Sequence, residues 1–367
     1  MNQKFCKFFK NGLVYNNNSV KFTVSPCCYY NKINALNPNH DLNIQLKKNR
    51  DSWLSDDIAI NCKICIDHEN SGLFSYRQAA NNLIPDATDE IVFLTVAVNK
   101  KCNLACPMCD SGSSSYWYQE NLRNNIPQRQ DIIQLHADDK EGIITDRFIE
   151  LLTDIDLSHL RYIKFGGGEP LMNDTHLKIL KLIPHPENVE VQYTSNFSIM
   201  PTEDVFSVWE NFKLIKWAAS LDGVDEYFEF LRWPYKWEKF LNFKEKAFAT
   251  VPVNVMFVVE HTLTPLNIFY FDKFEEWFNK NFSENRLGDK TDFNMHIASG
   301  ILGLEKTPTN LRKEIYNKYG NDHKISSLVK QTPIAPSSIM ANYLDNLDSF
   351  RNTKWREVFW EIEKFYV

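Results

Sequence analysis

The sequence predicts an α/β fold, a parallel sheet with helical crossovers that closes as a partial barrel instead of winding into a flat sheet. Three observations predict it. Short apolar runs rich in β-branched residues recur between positions 91 and 298, with amphipathic segments between them. That strand, helix, strand order demands parallel pairing with right-handed crossovers. The residues able to do chemistry fall at the C-terminal ends of those runs, and a rim of strand-end residues favours a barrel. From about Gly303 the pattern changes to helices alone.

Taken in order, the chain first shows Asn-rich turns at 16–18 and an alternating run at 20–24, read as one strand of a hairpin ending at Pro26. This N-terminal part holds Cys6, Cys27, Cys28, Cys62 and Cys65. Residues 91–98, IVFLTVAV, are fewer than the roughly 18 to 20 apolar residues of a membrane span and read as a buried strand. Directly after it comes CNLACPMC, which places Cys102, Cys106 and Cys109 on one loop. The serines at 111–115 lead into a polar segment through Lys140; they suit a helix start better than a nucleophile, because no base is positioned near them. Phe148, Leu151, Leu152 and Ile155 have helical spacing and belong to the core.

Residues 162–165 then form a strand that runs into Gly166-Gly167-Gly168-Glu169-Pro170. A strand at 189–193 ends at Thr194-Ser195-Asn196, and one at 214–219 ends at Ser220-Leu221-Asp222-Gly223, with the helix of Val205, Val208, Trp209 and Phe212 between them. Arg232 follows in EFLRWP. Strands at 253–259 and 293–298 flank an aromatic-rich helix, and Trp355, Val358, Phe359 and Ile362 give the tail its helical spacing.

Composition narrows the function. With 41 basic and 47 acidic residues the net charge is -6, so the bulk electrostatics favour neither nucleic acid nor an anionic membrane. The N-terminus has no apolar run of signal-peptide length and no later stretch approaches that of a span, so a soluble, cytoplasmic protein is expected. Eight cysteines in a large chain of this kind suggest metal ligation under reducing, low-oxygen conditions, not disulfides. The GxGxxG and GxxxxGK[ST] phosphate loops are absent, which counts against a nicotinamide enzyme or an ATPase.

The cysteine triplet is the most specific chemical signal. Three close thiolates can hold a soft metal centre, and three leave one iron of a four-iron cluster without a protein ligand, the open position that a catalytic site keeps. A zinc knuckle completed by a fourth ligand is the alternative. Downstream, Gly167 and Gly168 let the backbone approach a ligand, and Glu169 can accept from an ammonium group.

Together, CNLACPMC and GGGEP resemble the signatures of the radical S-adenosylmethionine (SAM) enzymes. The resemblance implies a partial (β/α)6 TIM-like barrel and a 4Fe-4S cluster on Cys102, Cys106 and Cys109 whose open iron SAM chelates. It further implies a SAM-binding set of Gly167, Gly168, Glu169, Ser195, Asn196, Ser220, Asp222 and Arg232. Arg232 would pair with the SAM carboxylate or with Glu169. Met108 stands where the family often has an aromatic residue. Pro26-Cys27 and Cys62-Lys63-Ile64-Cys65 resemble the twitch/SPASM region, implying an auxiliary iron-sulfur cluster on Cys6, Cys27, Cys62 and Cys65. A small zinc turn, with Cys6 as a buried free thiol, is the alternative there, and Cys28 is left over as a packed thiol. Expected domains are then 1–88 for the Cys-rich region, 89–302 for the barrel and 303–367 for a helical extension. The implied activity is hydrogen abstraction from a peptide or protein side chain by a 5'-deoxyadenosyl radical, with electrons from a reductase such as flavodoxin or ferredoxin. Dehydrogenation or epimerisation of a sugar, nucleoside or other small metabolite, and a non-catalytic metal-binding module, are the rival readings.

Overall fold

The computed structural model describes residues 6–17, 22–30, 34–37, 40–55, 58–70, 72, 74–84, 90–97, 99–282 and 293–366. Among these, nine strands form one sheet: β1 (Gly12–Asn17), β2 (Phe22–Ser25), β3 (Asn34–Ala35), β4 (Phe93–Ala97), β5 (Tyr162–Phe165), β6 (Glu190–Ser195), β7 (Leu214–Ser220), β8 (Val255–Leu263) and β9 (Phe293–Ile297). The spatial order is β3-β2-β1-β4-β5-β6-β7-β8-β9, and every pair from β4 to β9 is parallel. The α/β fold with a mainly parallel sheet is therefore as expected, with six consecutive strands where the apolar runs lie.

Alternation explains how the sheet closes. Ile163, Val191, Ile215, Trp217, Phe257 and Val259 are almost wholly buried. Crossover helices cover this face, as in the stacking of Phe248, from the helix Trp237–Thr250, on Phe257. The opposite face carries polar residues, and there Lys164 on β5 donates to Glu260 on β8 at 2.9 Å. In a flat sheet three strand steps separate them by roughly 14 Å. A direct contact requires the sheet to curl, so this face is the inside of a barrel.

The N-terminal strands extend the same sheet. β1 pairs in parallel with β4 and antiparallel with β2, so the expected hairpin forms, although Val20 and Lys21 lie outside the described residues. Phe8 and Tyr76 pack against Phe93, which stacks on Tyr162 at 4.6 Å. The helix Tyr76–Leu83 is started by a capping box between Ser75 and Gln78.

The segment read as polar connection holds two helices, α1 (Ser115–Arg123) and Gln130–Lys140. Ser114 caps α1 by accepting from the Trp117 N–H, in keeping with serines as a helix start. Only a thin stripe of each helix is buried, Trp117 and Glu120 on one and Leu135 and His136 on the other, so apolar periodicity did not reveal them. The tail is helical and includes α2 (Ser338–Arg351), but the last expected helix is short, Trp355–Val358. Burial of Trp355, Phe359 and Ile362 in the core fixes that segment in place of a long hydrogen-bonded helix.

Candidate active site

The loop carrying Cys102, Cys106 and Cys109 leaves the end of β4 and is held at nearly every residue. Cys102 N donates to Ser115 Oγ at 3.0 Å, and Ser114 Oγ donates to the Leu104 carbonyl at 2.6 Å. Ala105 N donates to the Trp233 carbonyl at 2.7 Å, Trp117 Nε1 to the Cys106 carbonyl at 2.8 Å, and Tyr343 Oη to the Pro107 carbonyl at 2.8 Å. Burial, with a smaller contribution from Cys106, pushes the Cys102 thiol up to about 11 and the Cys109 thiol to about 12. Burial raises Cys106 too, against the opposing charge of Arg232. Without a metal these thiols keep their protons, and a bound cation displaces them. Donors already stand by the sulfurs: Arg232 Nη1 is 3.9 Å from Cys106 Sγ and Asn196 Nδ2 is 4.0 Å from Cys102 Sγ. A soft donor set with polar groups aimed at it fits an iron-sulfur cluster.

The GGGEP turn lies directly on the chain entering that loop. Gly168 has φ +54, and a Cβ there would meet the Lys101 carbonyl at 2.5 Å; Gly167 has φ +77 and faces Ala97. Glu169 N donates to the same Lys101 carbonyl at 2.7 Å. The Glu169 carboxylate is fully buried and accepts from Leu171 N at 3.2 Å, Ser195 Oγ at 3.0 Å and Asn196 N at 2.6 Å. These bonds tie the ends of β5 and β6 together and occupy most of its acceptor capacity. Burial nevertheless lifts its pKa to about 7.

Asn196 also donates to Asn103 Oδ1 at 2.6 Å, which joins the end of β6 to the cysteine loop. Ser220 ends β7 in register with Glu260 on β8. Asp222, fully buried, accepts from Thr262 N at 2.7 Å and pairs with Arg232 Nη2 at 2.6 Å. Arg232 thus binds Asp222, not Glu169. Seven of the eight residues of the expected SAM-binding set lie at the ends of β5, β6 and β7 or in the turns that follow, and Arg232 comes after the next helix, Asp225–Leu231.

In the N-terminal region Cys6, Cys27, Cys62 and Cys65 are buried while Cys28 is exposed, contrary to its expected packing. Burial is the main cause that raises Cys6 to about 12, Cys62 to about 11 and Cys27 well above its usual value, with smaller contributions from the neighbouring thiols, Cys28 foremost for Cys27. The Arg77 charge opposes the shift at Cys6, Cys62 and Cys65. Among the described residues no three His, Cys, Asp or Glu side chains converge for a single metal ion.

Sequence reasoning passed over the polar layer inside the barrel. Glu260 Oε1 accepts from Lys164 and, at 2.6 Å, from Gln192, while His296 Nε2 lies 3.8 Å from Glu260 Oε2. The available signal was a charge inside an apolar strand, Lys164 in YIKF and Glu260 in VMFVVEHTL. Trp117, Tyr343 and Arg351 were also missed, because nothing local marks a residue that serves a distant loop.

Residues 96–276 match the family model described as the radical SAM superfamily. Among solved structures, the chain is similar to "Native anSMEcpe with bound AdoMet" at 16% identity, covering 70% of this chain and 65% of that one, with a TM-score of 0.36. It is similar to Streptococcus suis SuiB bound to precursor peptide SuiA at 11% identity, covering 80% of this chain and 54% of that one, with a TM-score of 0.37. The chain thus spans less than two thirds of either solved chain's length. No curated protein matches it. Among the described residues no helix is long and apolar enough to cross a membrane. The match over residues 96–276 includes the cysteine loop and the GGGEP turn, so this region of the chain is similar to the radical SAM superfamily.

Proposed function

We propose that this enzyme cleaves SAM reductively and uses the resulting radical to abstract a hydrogen atom from a peptide or protein side chain. The observation that carries the first part is the direct stitching of the cysteine loop to the GGGEP turn and to the end of β6, through the Glu169 to Lys101 and Asn196 to Asn103 bonds respectively. Cys102, Cys106 and Cys109 would hold the 4Fe-4S cluster, which supplies the electron that breaks the SAM sulfonium bond. Backbone groups of Gly167 and Gly168, with the remaining acceptor capacity of Glu169, would receive the SAM ammonium, and Ser195, Asn196, Ser220 and the Asp222–Arg232 pair would line its ribose and carboxylate. The peptide reading is supported by the barrel's inner face, where Lys164, Glu260 and His296 offer donors and acceptors suited to amide groups. Cys6, Cys27, Cys62 and Cys65 would carry an auxiliary cluster, and a flavodoxin or ferredoxin type reductase would supply the electron.

Anaerobic incubation with SAM and dithionite tests the reading. The reconstituted wild type should release 5'-deoxyadenosine, and the variant with Cys102, Cys106 and Cys109 all changed to alanine should not. Equal release from both would overturn it.

A further inference from the structure

We propose that the C-terminal helix α2 belongs to the cluster site: through Arg351 and Tyr343 it holds residues 105–107, and the Arg351 charge makes a cluster bound there easier to reduce. The proposal rests on the assignment of the cysteine triplet as cluster ligands.

Arg351, in the last turn of α2, is buried against Glu120 of α1. Its Nη2 lies 2.5 Å from Glu120 Oε2, and its Nε donates to both carboxylate oxygens at 3.1 and 3.2 Å. The guanidinium sits 4.4 Å from the centre of the Trp117 ring and 5.9 Å from that of Trp233. Those two tryptophans are the ones that grip the loop, Trp117 through the Cys106 carbonyl and Trp233 through Ala105 N. From the same helix, Tyr343 grips the Pro107 carbonyl. Three consecutive residues around the middle cysteine are therefore positioned by one helix and the aromatic rings it rests on.

A buried ion pair is weak evidence of stabilisation, because desolvating both charges offsets most of their attraction. Its placement suggests another role. The Arg351 guanidinium lies over the Trp117 ring, whose N–H holds the Cys106 carbonyl, and Arg232 stands 3.9 Å from the Cys106 sulfur on another side. Reduction adds one negative charge to a cluster, and net charge nearby is one of the levers that set its potential. A cation stacked two side chains from the ligand favours the reduced form. Arg351 is a positioning residue here, since it reaches the ligand through Trp117.

The test is a redox titration of the reconstituted protein, followed by the electron paramagnetic resonance signal of the reduced cluster, in wild type, R351K, R351M and the double variant E120M/R351M. Iron and sulfide content of the wild type reports separately on the cysteine assignment. The reduced-to-oxidised ratio of R351M should fall roughly tenfold at a fixed potential, about 59 mV for one electron. R351K should stay near wild type. The double variant replaces the pair by apolar side chains and should recover thermal stability while its potential remains below wild type. A wild-type potential in the double variant would overturn the proposal, as would loss of iron from both methionine variants when R351K retains it, because the charge would then serve to retain the cluster and not to set its potential.

Discussion

The Tyr29 hydroxyl lies 2.9 Å from Nδ1 of His296, which joins the segment after β2 to the last strand of the sheet. Seven strand steps separate β2 from β9, roughly 33 Å in a flat sheet. The bond exists because the N-terminal strands continue the curl of the barrel and bring the Cys27 segment round to its open side. Tyr29→Phe removes one partly buried hydrogen bond and should cost about 1 kcal/mol, read as a lowered midpoint in urea with an unchanged slope. An unchanged midpoint would mean that the two ends of the sheet are held together elsewhere.

Lys164 and Glu260 form the charged pair inside the barrel, with side-chain exposures of 17% and 6%. Lys164→Met leaves Glu260 without its cation and should cost about 3 to 5 kcal/mol, and Lys164→Met with Glu260→Leu should cost much less. Urea unfolding of both variants checks this. Equal losses would show that shape, not charge, governs the layer.

The same pair predicts a pH dependence. Burial alone would raise the Glu260 carboxyl, but Lys164 and His296 outweigh it and hold the carboxyl well below its usual value of 4.5. A depressed carboxyl contributes stability that is present above the unfolded pKa and lost as pH falls toward the folded one. The melting temperatures of wild type and Glu260→Gln should therefore differ at pH 7, and the gap should begin to narrow below about pH 4.5 and shrink steadily as the pH falls further. A gap that stays constant from pH 7 down through acid would contradict the pairing.

Glu169 has the opposite sign. Burial raises its pKa to about 7, so in the SAM-free protein it is largely protonated at pH 6 and largely ionised at pH 8. An ammonium group binds the ionised form, so SAM affinity should rise across this interval in the wild type. Glu169→Gln should flatten the part of the rise that Glu169 supplies and weaken binding by roughly tenfold or more, consistent with a charge-assisted hydrogen bond. Equilibrium dialysis with labelled SAM at both pH values makes the comparison, and identical slopes would remove Glu169 from the site.

Gly168→Ala should be more damaging than its size suggests. The added Cβ would stand 2.5 Å from the Lys101 carbonyl at a backbone φ of +54, so the turn and the chain entering the cysteine loop cannot both keep their places. SAM binding should be lost, with far-ultraviolet circular dichroism near wild type. Retained binding would show that the turn has room to shift.

For the N-terminal cysteines, the variant lacking Cys102, Cys106 and Cys109 should still take up about four irons, and changing Cys62 and Cys65 as well should remove them. Zinc in place of iron would favour the small zinc turn.

The sequence by itself determined the six parallel strands, the order of their crossovers and the two motifs at the rim, because strand patterning and motif spacing are local properties of the chain. CNLACPMC and GGGEP each stand at the end of an apolar run, and their resemblance to the radical SAM signatures is what marks them as partners. Only the tertiary structure decided which groups those motifs meet. Arg232 could have served Glu169 by its place in the chain, and it serves Asp222 because the turn after β7 faces the loop where Arg232 sits. Lys164 and Glu260 became a pair only when three strand steps curled into contact, and Arg351 reached the tryptophans of the cysteine loop only when the tail folded back over α1. Contacts of that kind depend on the packing of segments far apart in sequence, and no window of residues along the chain encodes them.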